Sequence, residues 1–208
     1  MSDSAATCIP IDQSTARPAP FRGLFSEIVR WVCSLYLGAA GWKLRGDFPA
    51  LEKAVLVAAP HTSNWDGINM LATAGYYRVK LRWMGKKSLT QGPFGWLIKW
   101  LGCVPIDRSA ANDVVKTMSD AFAATNRMIL AIPPEGTRSA TRVWKTGFYH
   151  IARGAGVPLV LSVLDYGTKT VSLAAIVHPS GDYEGDLALI RTYYARAVGK
   201  HPEKFTSA

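Results

Sequence analysis

The sequence predicts an α/β fold: a mainly parallel central sheet flanked by helices, preceded by an N-terminal amphipathic, membrane-associated helix. Three observations carry that prediction. Apolar runs of strand length recur at 54–59, 80–85, 103–107, 128–132, 157–164 and 170–177. Segments of helical period alternate with them, at 67–78, 94–101, 111–125, 144–154 and 184–198. Such alternation builds βαβ units, with parallel strands and helices packed on the sheet. The third observation is size: 208 residues, 49% of them apolar, suffice for one substantial core.

Taken in order, residues 1–20 (MSDSAATCIPIDQSTARPAP) have little periodicity and no basic start before an apolar stretch, so they read as a flexible tail and not as a signal peptide. The next unit spans 21–46. Within it Leu24, Ile28, Trp31, Val32, Leu35, Ala39 and Trp42 recur on one helical face, with Glu27 and Arg30 on the other. No charge appears from Trp31 to Trp42, a run well short of the ~20 residues that cross a bilayer. A helix lying in the membrane interface and a helix packed on the domain both fit this pattern. Residues 47–208 form the main domain.

The formal net charge is +9, which asks for an acidic partner or surface. Between residues 78 and 108, Arg78, Lys80, Arg82, Lys86, Lys87, Lys99 and Arg108 stand against Asp107 alone, with Trp83, Phe94, Trp96 and Trp100 interleaved. That mixture suits anionic lipid headgroups, single-stranded nucleic acid, or a solvated face beside an aromatic core. Residues 93–101 are apolar and aromatic with one charge, and suit an acyl-chain tunnel, a membrane contact or a buried helix. The three cysteines, Cys8, Cys33 and Cys103, have no metal-ligand spacing, and their odd number argues against a disulfide framework.

The chemistry begins at AAPHTSNWDG (58–67), where an apolar run breaks into a loop. His61 and Asp66 are five positions apart, so they meet only if the chain turns between them. Pro60, Ser63, Asn64 and Gly67 supply turn and cap chemistry, placing His61 in the loop and Asp66 at the start of a helix. A carboxylate there orients the imidazole and leaves its other nitrogen as a general base, the His–Asp half of a serine-protease triad. With no serine posed as nucleophile, a substrate hydroxyl takes that place. The other histidines, His150, His178 and His201, are too scattered for a zinc site.

Two further loops follow apolar runs. ILAIPPEGTRS (129–139) offers Gly136 for close backbone approach and Thr137 and Arg138 for an oxyanion. Glu135 is out of place in an anion site; it holds Arg138 or neighbouring N–H groups in position, or bonds a substrate hydroxyl. GCVPIDRS (102–109) delivers Arg108 at the end of a short strand. All three loops lie just past the carboxyl ends of predicted strands, the edge where open α/β sheets bind ligands.

These stretches resemble a known family. His61-Thr-Ser-Asn-Trp-Asp66 is similar to the His-x4-Asp motif of the glycerolipid acyltransferases, the lysophosphatidic acid acyltransferases and their relatives, and Pro134-Glu135-Gly136-Thr137-Arg138-Ser139 matches a second motif of theirs. Pro105-Ile106-Asp107-Arg108 and Val157-Pro158-Leu159-Val160 resemble two weaker blocks, and the likeness runs from about Lys43 to His178. Pro60 and Pro133 stand where many relatives have Asn and an aromatic.

The resemblance implies that 47–208 is an acyltransferase domain. His61, oriented by Asp66, would deprotonate the hydroxyl of a lysophospholipid, above all 1-acyl-sn-glycerol-3-phosphate. The hydroxyl would attack an acyl thioester of coenzyme A or acyl carrier protein directly, with no acyl-enzyme, metal or other cofactor. Arg108, Glu135, Gly136, Thr137 and Arg138 would bind the phosphorylated acceptor, with Lys145 as a further contact. The implied partners are the acyl donor, the lysophospholipid and an anionic membrane surface, with no nucleic acid. The implied location is the cytoplasmic face of the cell membrane, peripheral or monotopic. Other lyso-lipid acceptors, amino-acid-containing ones included, and a thioesterase or lipase built on the same pair are the alternatives. Elsewhere, Trp144, Phe148, Ile151 and Ala152 follow core spacing, and Asp182, Glu184 and Asp186 read as a solvated loop and helix start.

Overall fold

The computed structural model describes residues 6–106, 111–141 and 143–206, with the backbone alone for 111–113. The strands are β1 (Thr7–Pro10), β2 (Lys43–Arg45), β3 (Lys53–Ala59), β4 (Leu81–Lys86), β5 (Cys103–Ile106), β6 (Met128–Ile132), β7 (Leu159–Asp165) and β8 (Thr170–His178). The helices are α1 (Leu24–Ala39), α2 (Asn64–Tyr76), α3 (Gly95–Trp100), α4 (Ala111–Ala123), α5 (Gly147–Ala155) and α6 (Tyr183–Thr192). The eight strands form one sheet in the order β1-β8-β7-β3-β6-β4-β5, with β2 also on β8.

β3 lies mid-sheet, parallel to both β6 and β7, and is apolar from Ala54 onward because helices cover both faces. Its alternation divides the core. Val55, Val57 and Ala59 join Leu130, Phe148, Ile151 and Leu159 on one side. Ala54 and Leu56 join Ala74, Tyr77, Ile129 and Val160 on the other. Trp144, Phe148, Ile151 and Ala152 are buried in the first cluster, as their spacing predicts.

The sheet is mainly parallel, as the alternation predicts, but mixed at one end: β8 runs antiparallel to β7, and β1 antiparallel to β8. The link between β7 and β8, residues 166–169, is too short for a crossover, so the chain must turn back. The tail expectation for 1–20 also changes. Among its described residues, β1 pairs along β8, Ala19 N donates to Tyr77 O at 3.1 Å, and Gln13 Nε2 donates to Leu173 O at 2.7 Å. The signal was weak because β1 is a short outer strand ending at Pro10, and its partner is far away in sequence. The 21–46 unit likewise ends inside the sheet, since Lys43–Arg45 pairs with β8.

Helix α1 packs against α2, where Gly75 lets it come close: a Cβ there would lie 2.4 Å from Cys33 Sγ. Arg78 ties the two together, giving Nη2 to Glu27 Oε2 at 2.9 Å and Nη1 to Ala19 O at 2.6 Å. The opposite face, with Leu24, Phe25, Ile28, Trp31, Val32 and Leu35, is exposed. Phe94, Trp96 and Trp100 around α3 are exposed too, and Trp100 meets Phe25 edge-on at 6.5 Å. Ile98 and Leu101 face inward onto the main cavity. Among the described residues, no helix is long and apolar enough to cross a membrane.

Candidate active site

The chain leaves β3 through Pro60 and turns at His61–Ser63 into α2. The turn is a capping box: Ser63 Oγ accepts from Trp65 N at 3.1 Å, and Asp66 Oδ2 accepts from Ser63 N at 2.7 Å. That local chemistry explains the five-residue spacing, because Asp66 must be the third residue of the helix to reach back. His61 Nδ1 then lies 3.6 Å from Asp66 Oδ2, an ion-pair distance just beyond a hydrogen bond.

The Asp66 carboxylate is buried and saturated with donors. Besides Ser63 N, Oδ2 accepts from Thr62 N at 2.6 Å; Oδ1 accepts from Ser63 Oγ at 3.0 Å and from the Tyr166 hydroxyl at 2.6 Å. Four donors around an acceptor-only group hold its orientation rigidly. Tyr166 in turn accepts from Asn69 Nδ2 at 3.2 Å, and Asn69 Oδ1 accepts from Tyr36 of α1 at 3.0 Å. Burial, reinforced by the bond to Asp66, pushes the Tyr166 pKa up, so the phenol remains a donor. Sequence reasoning missed Tyr166, although it satisfies the criterion used for the other loops, standing just past the end of β7. Tyr166→Phe keeps the packing against Trp42, whose ring lies 4.9 Å away, and removes one bond to a charged group. It is expected to lower kcat about tenfold with KM little changed, read by steady-state kinetics.

The second loop follows β6, which neighbours β3. Glu135 is 2% exposed and accepts the His61 backbone N–H on Oε1 at 2.8 Å. Among the described residues, its other oxygen has no hydrogen-bond partner. Burial, with a smaller contribution from the Asp66 charge, pushes its pKa up to about 7. This corrects the grouping of Glu135 with the phosphate contacts: a buried carboxyl spent on the His61 N–H is a loop clamp, and ionised it would repel a phosphate. The clamp has a pH signature. Glu135 ionises near its ordinary 4.5 in the unfolded chain and near 7 in the folded one. The Glu135 contribution to stability is therefore full below pH 4.5, declines as pH rises, and levels off above 7. The decline is on the order of 3 kcal/mol. Glu135→Gln is expected to flatten that slope in urea melts between pH 5 and 8.

Beyond Glu135 the loop opens to solvent. Gly136 has φ +64°, and a Cβ there would lie 2.9 Å from Lys145 Cγ, so glycine lets Lys145 lie across the loop. Lys145 N donates to Pro134 O at 2.7 Å. Gly136, Thr137, Arg138 and Lys145 line the same cavity as His61 and Asp66, a space of about 1240 Å³. Most of its remaining wall is apolar, including Met70, Leu71, Trp83, Met84 and Ile98. Arg108 lies outside the described residues. Asp186 is occupied structurally, accepting from Tyr149 Oη and Ser180 N at 2.7 Å each, while Asp182 caps α6.

The arrangement is thus a His–carboxylate pair and cationic side chains lining one cavity whose remaining wall is mostly apolar. A family model described as Acyltransferase matches residues 43–163, more than half of the chain. The chain belongs to this acyltransferase family. The 1-acyl-sn-glycerol-3-phosphate acyltransferase of Haemophilus influenzae is 32% identical over 144 residues, covering 64% of this chain and 58% of that protein. The enzyme of the same name from Salmonella typhimurium is 37% identical over 124 residues, 55% and 48% of the two chains. The chain therefore spans about half the length of the curated relatives it matches. The crystal structure of the 1-acyl-sn-glycerophosphate (LPA) acyltransferase PlsC from Thermotoga maritima shares the fold, with a TM-score of 0.59 at 18% identity, over 82% of this chain and 77% of that one.

Proposed function

We propose that this acyltransferase moves a fatty acyl group from an acyl thioester to the free hydroxyl of a lysophospholipid, with 1-acyl-sn-glycerol-3-phosphate as the preferred acceptor. The observation that carries the reading is the shared cavity, which has the His61–Asp66 pair, the Thr137–Arg138 loop and an apolar extension suited to an acyl chain. Relatives named for this reaction support it.

His61 takes the acceptor's hydroxyl proton as the oxygen attacks the thioester carbonyl. Asp66 stabilises the imidazolium that forms. The tetrahedral intermediate collapses with loss of the thiolate, which recovers the proton from His61, leaving ester and free thiol. The donor is acyl-CoA or acyl carrier protein, with no further cofactor. Thr137, Arg138 and Lys145 hold the acceptor's phosphate, and Arg108 belongs to the same role by resemblance. The exposed apolar faces of α1 and α3, among exposed Lys86, Lys87 and Lys99, fit an anionic membrane surface at which both lipid substrates are met, taken as the cytoplasmic face with the protein peripheral or monotopic.

The test is incubation with radiolabelled acyl-CoA and a panel of lyso-lipids, with products separated by chromatography. Acyl on lysophosphatidate supports the reading; acyl on another lyso-lipid changes the acceptor; free fatty acid alone replaces transfer with thioester hydrolysis. Arg138→Ala is expected to raise the lysophosphatidate KM about tenfold or more while kcat changes less.

A further inference from the structure

A second basin adjoins the catalytic loop and is built partly from the end of the chain, beyond the 43–163 span of the family match. After α6 the chain returns to the active edge of the sheet and is tied there at successive points. Tyr194 gives its hydroxyl to Val57 O at 2.8 Å, Tyr166 N donates to Val198 O at 2.9 Å, and Val198 N donates to Asp165 Oδ1 at 3.0 Å. His201 N then donates to Thr62 Oγ1 at 3.2 Å, one residue from His61. Between them Gly199 allows contact that no side chain would: a Cβ there would lie 2.8 Å from Thr62 Cγ2. The segment is seated on the catalytic turn.

The seating leaves an open, shallow basin of about 520 Å³ lined by Trp65, Arg138, Ser139, Lys200, His201 and Lys204, together with Thr62–Asn64. Arg138, Lys200 and Lys204 bring three basic side chains, and among the described residues that line the basin none is a carboxylate. Glu203, on the same segment, lies 3.7 Å from His201 Nδ1. Lys200 Nζ is 4.8 Å above the Trp65 ring, which holds its charge over the basin wall. Arg138 lines both this basin and the main cavity, so the two are neighbours across one residue.

We propose that Lys200 and Lys204 complete the acceptor's phosphate site with Arg138, and that this basin selects a phosphomonoester headgroup over a zwitterionic one. The inference rests on the transfer reading above and deepens it. A phosphomonoester carries a charge of about −1.5 to −2 at pH 7, matched to several cations. A zwitterionic headgroup brings at most one negative charge and sets its ammonium against the same lysines. In a glycerol phosphate the phosphate and the reacting hydroxyl are only a few bonds apart, which suits a basin that starts at the residue after the general base.

The test compares wild type, K200Q/K204Q and K200R/K204R. With oleoyl-CoA as donor, the glutamine pair is expected to raise the lysophosphatidate KM about tenfold, leave the acyl-CoA KM within about twofold, and cut the preference for lysophosphatidate over lysophosphatidylcholine about tenfold; the arginine pair restores all three. An unmoved lysophosphatidate KM, or a rise confined to acyl-CoA, overturns the proposal. A separate measurement needs no turnover: glycerol 3-phosphate should raise the Tm of wild type but not of K200Q/K204Q, and equal shifts in both overturn the site. If wild type acylates no lyso-lipid while that difference persists, the transfer reading falls and the phosphate site stands.

Discussion

His61→Ala is expected to lower acyl transfer by roughly 10²–10⁴-fold while the protein remains folded. The imidazole lines the cavity and is partly exposed, so removing it opens no large void in the core. The bond that fixes this stretch of loop runs from the His61 backbone N–H to Glu135, and alanine retains that N–H. The turn itself is held by bonds from Thr62, Ser63 and Tyr166 to Asp66, none of which uses the ring. Rate and stability should therefore separate: initial rates collapse while Tm stays within a few degrees. A variant with wild-type rates would remove the general base from the mechanism.

Asp66→Asn should behave differently, losing both activity and stability. The carboxylate accepts from four donors on two oxygens. An asparagine turns one acceptor into an NH2 group. Facing Thr62 N and Ser63 N, that group meets two donors; facing Tyr166 and Ser63 Oγ, it loses an acceptor that two hydroxyls share. Either way a buried pairing fails, at about 1–3 kcal/mol. The imidazolium also loses its counter-charge and the ring its orienting acceptor, which for a buried His–Asp pair is worth up to about 10⁴ in kcat. A loss of about 10³-fold or more, together with a lowered urea midpoint, is the expected outcome. Retention of the wild-type rate would show that Asp66 only caps α2.

The contrast between these variants follows from what is local in the chain. Ser63 and Asp66 meet within one helical turn, and cap chemistry at that spacing is visible in the letters alone. The strand runs around 54–59, 128–132 and 157–164 were legible for a similar reason, since side-chain alternation and apolar burial on both faces are written every two residues. Which N–H group Glu135 holds was not legible. Its partner is the backbone of His61, 74 positions away, and only the pairing of β3 with β6 brings them together. Tyr166 was obscured likewise, by lying on a hairpin whose far end carries no motif. The stretch 1–20 has the letters of a tail because β1 gains its hydrogen bonds from β8, on the opposite side of the chain's length.

Alternating apolar periods, turn residues and cap spacing determined the α/β class, the strands at the centre of the sheet and the histidine–aspartate pair, because those signals act over a few bonds. The tertiary structure alone decided which groups surround that pair: a buried glutamic acid clamping the loop, a tyrosine on the aspartate, and a basic segment from the chain's far end seated on Thr62. Strand order and chain return set those meetings, and free energy gained between residues dozens of positions apart leaves no period in the sequence to read.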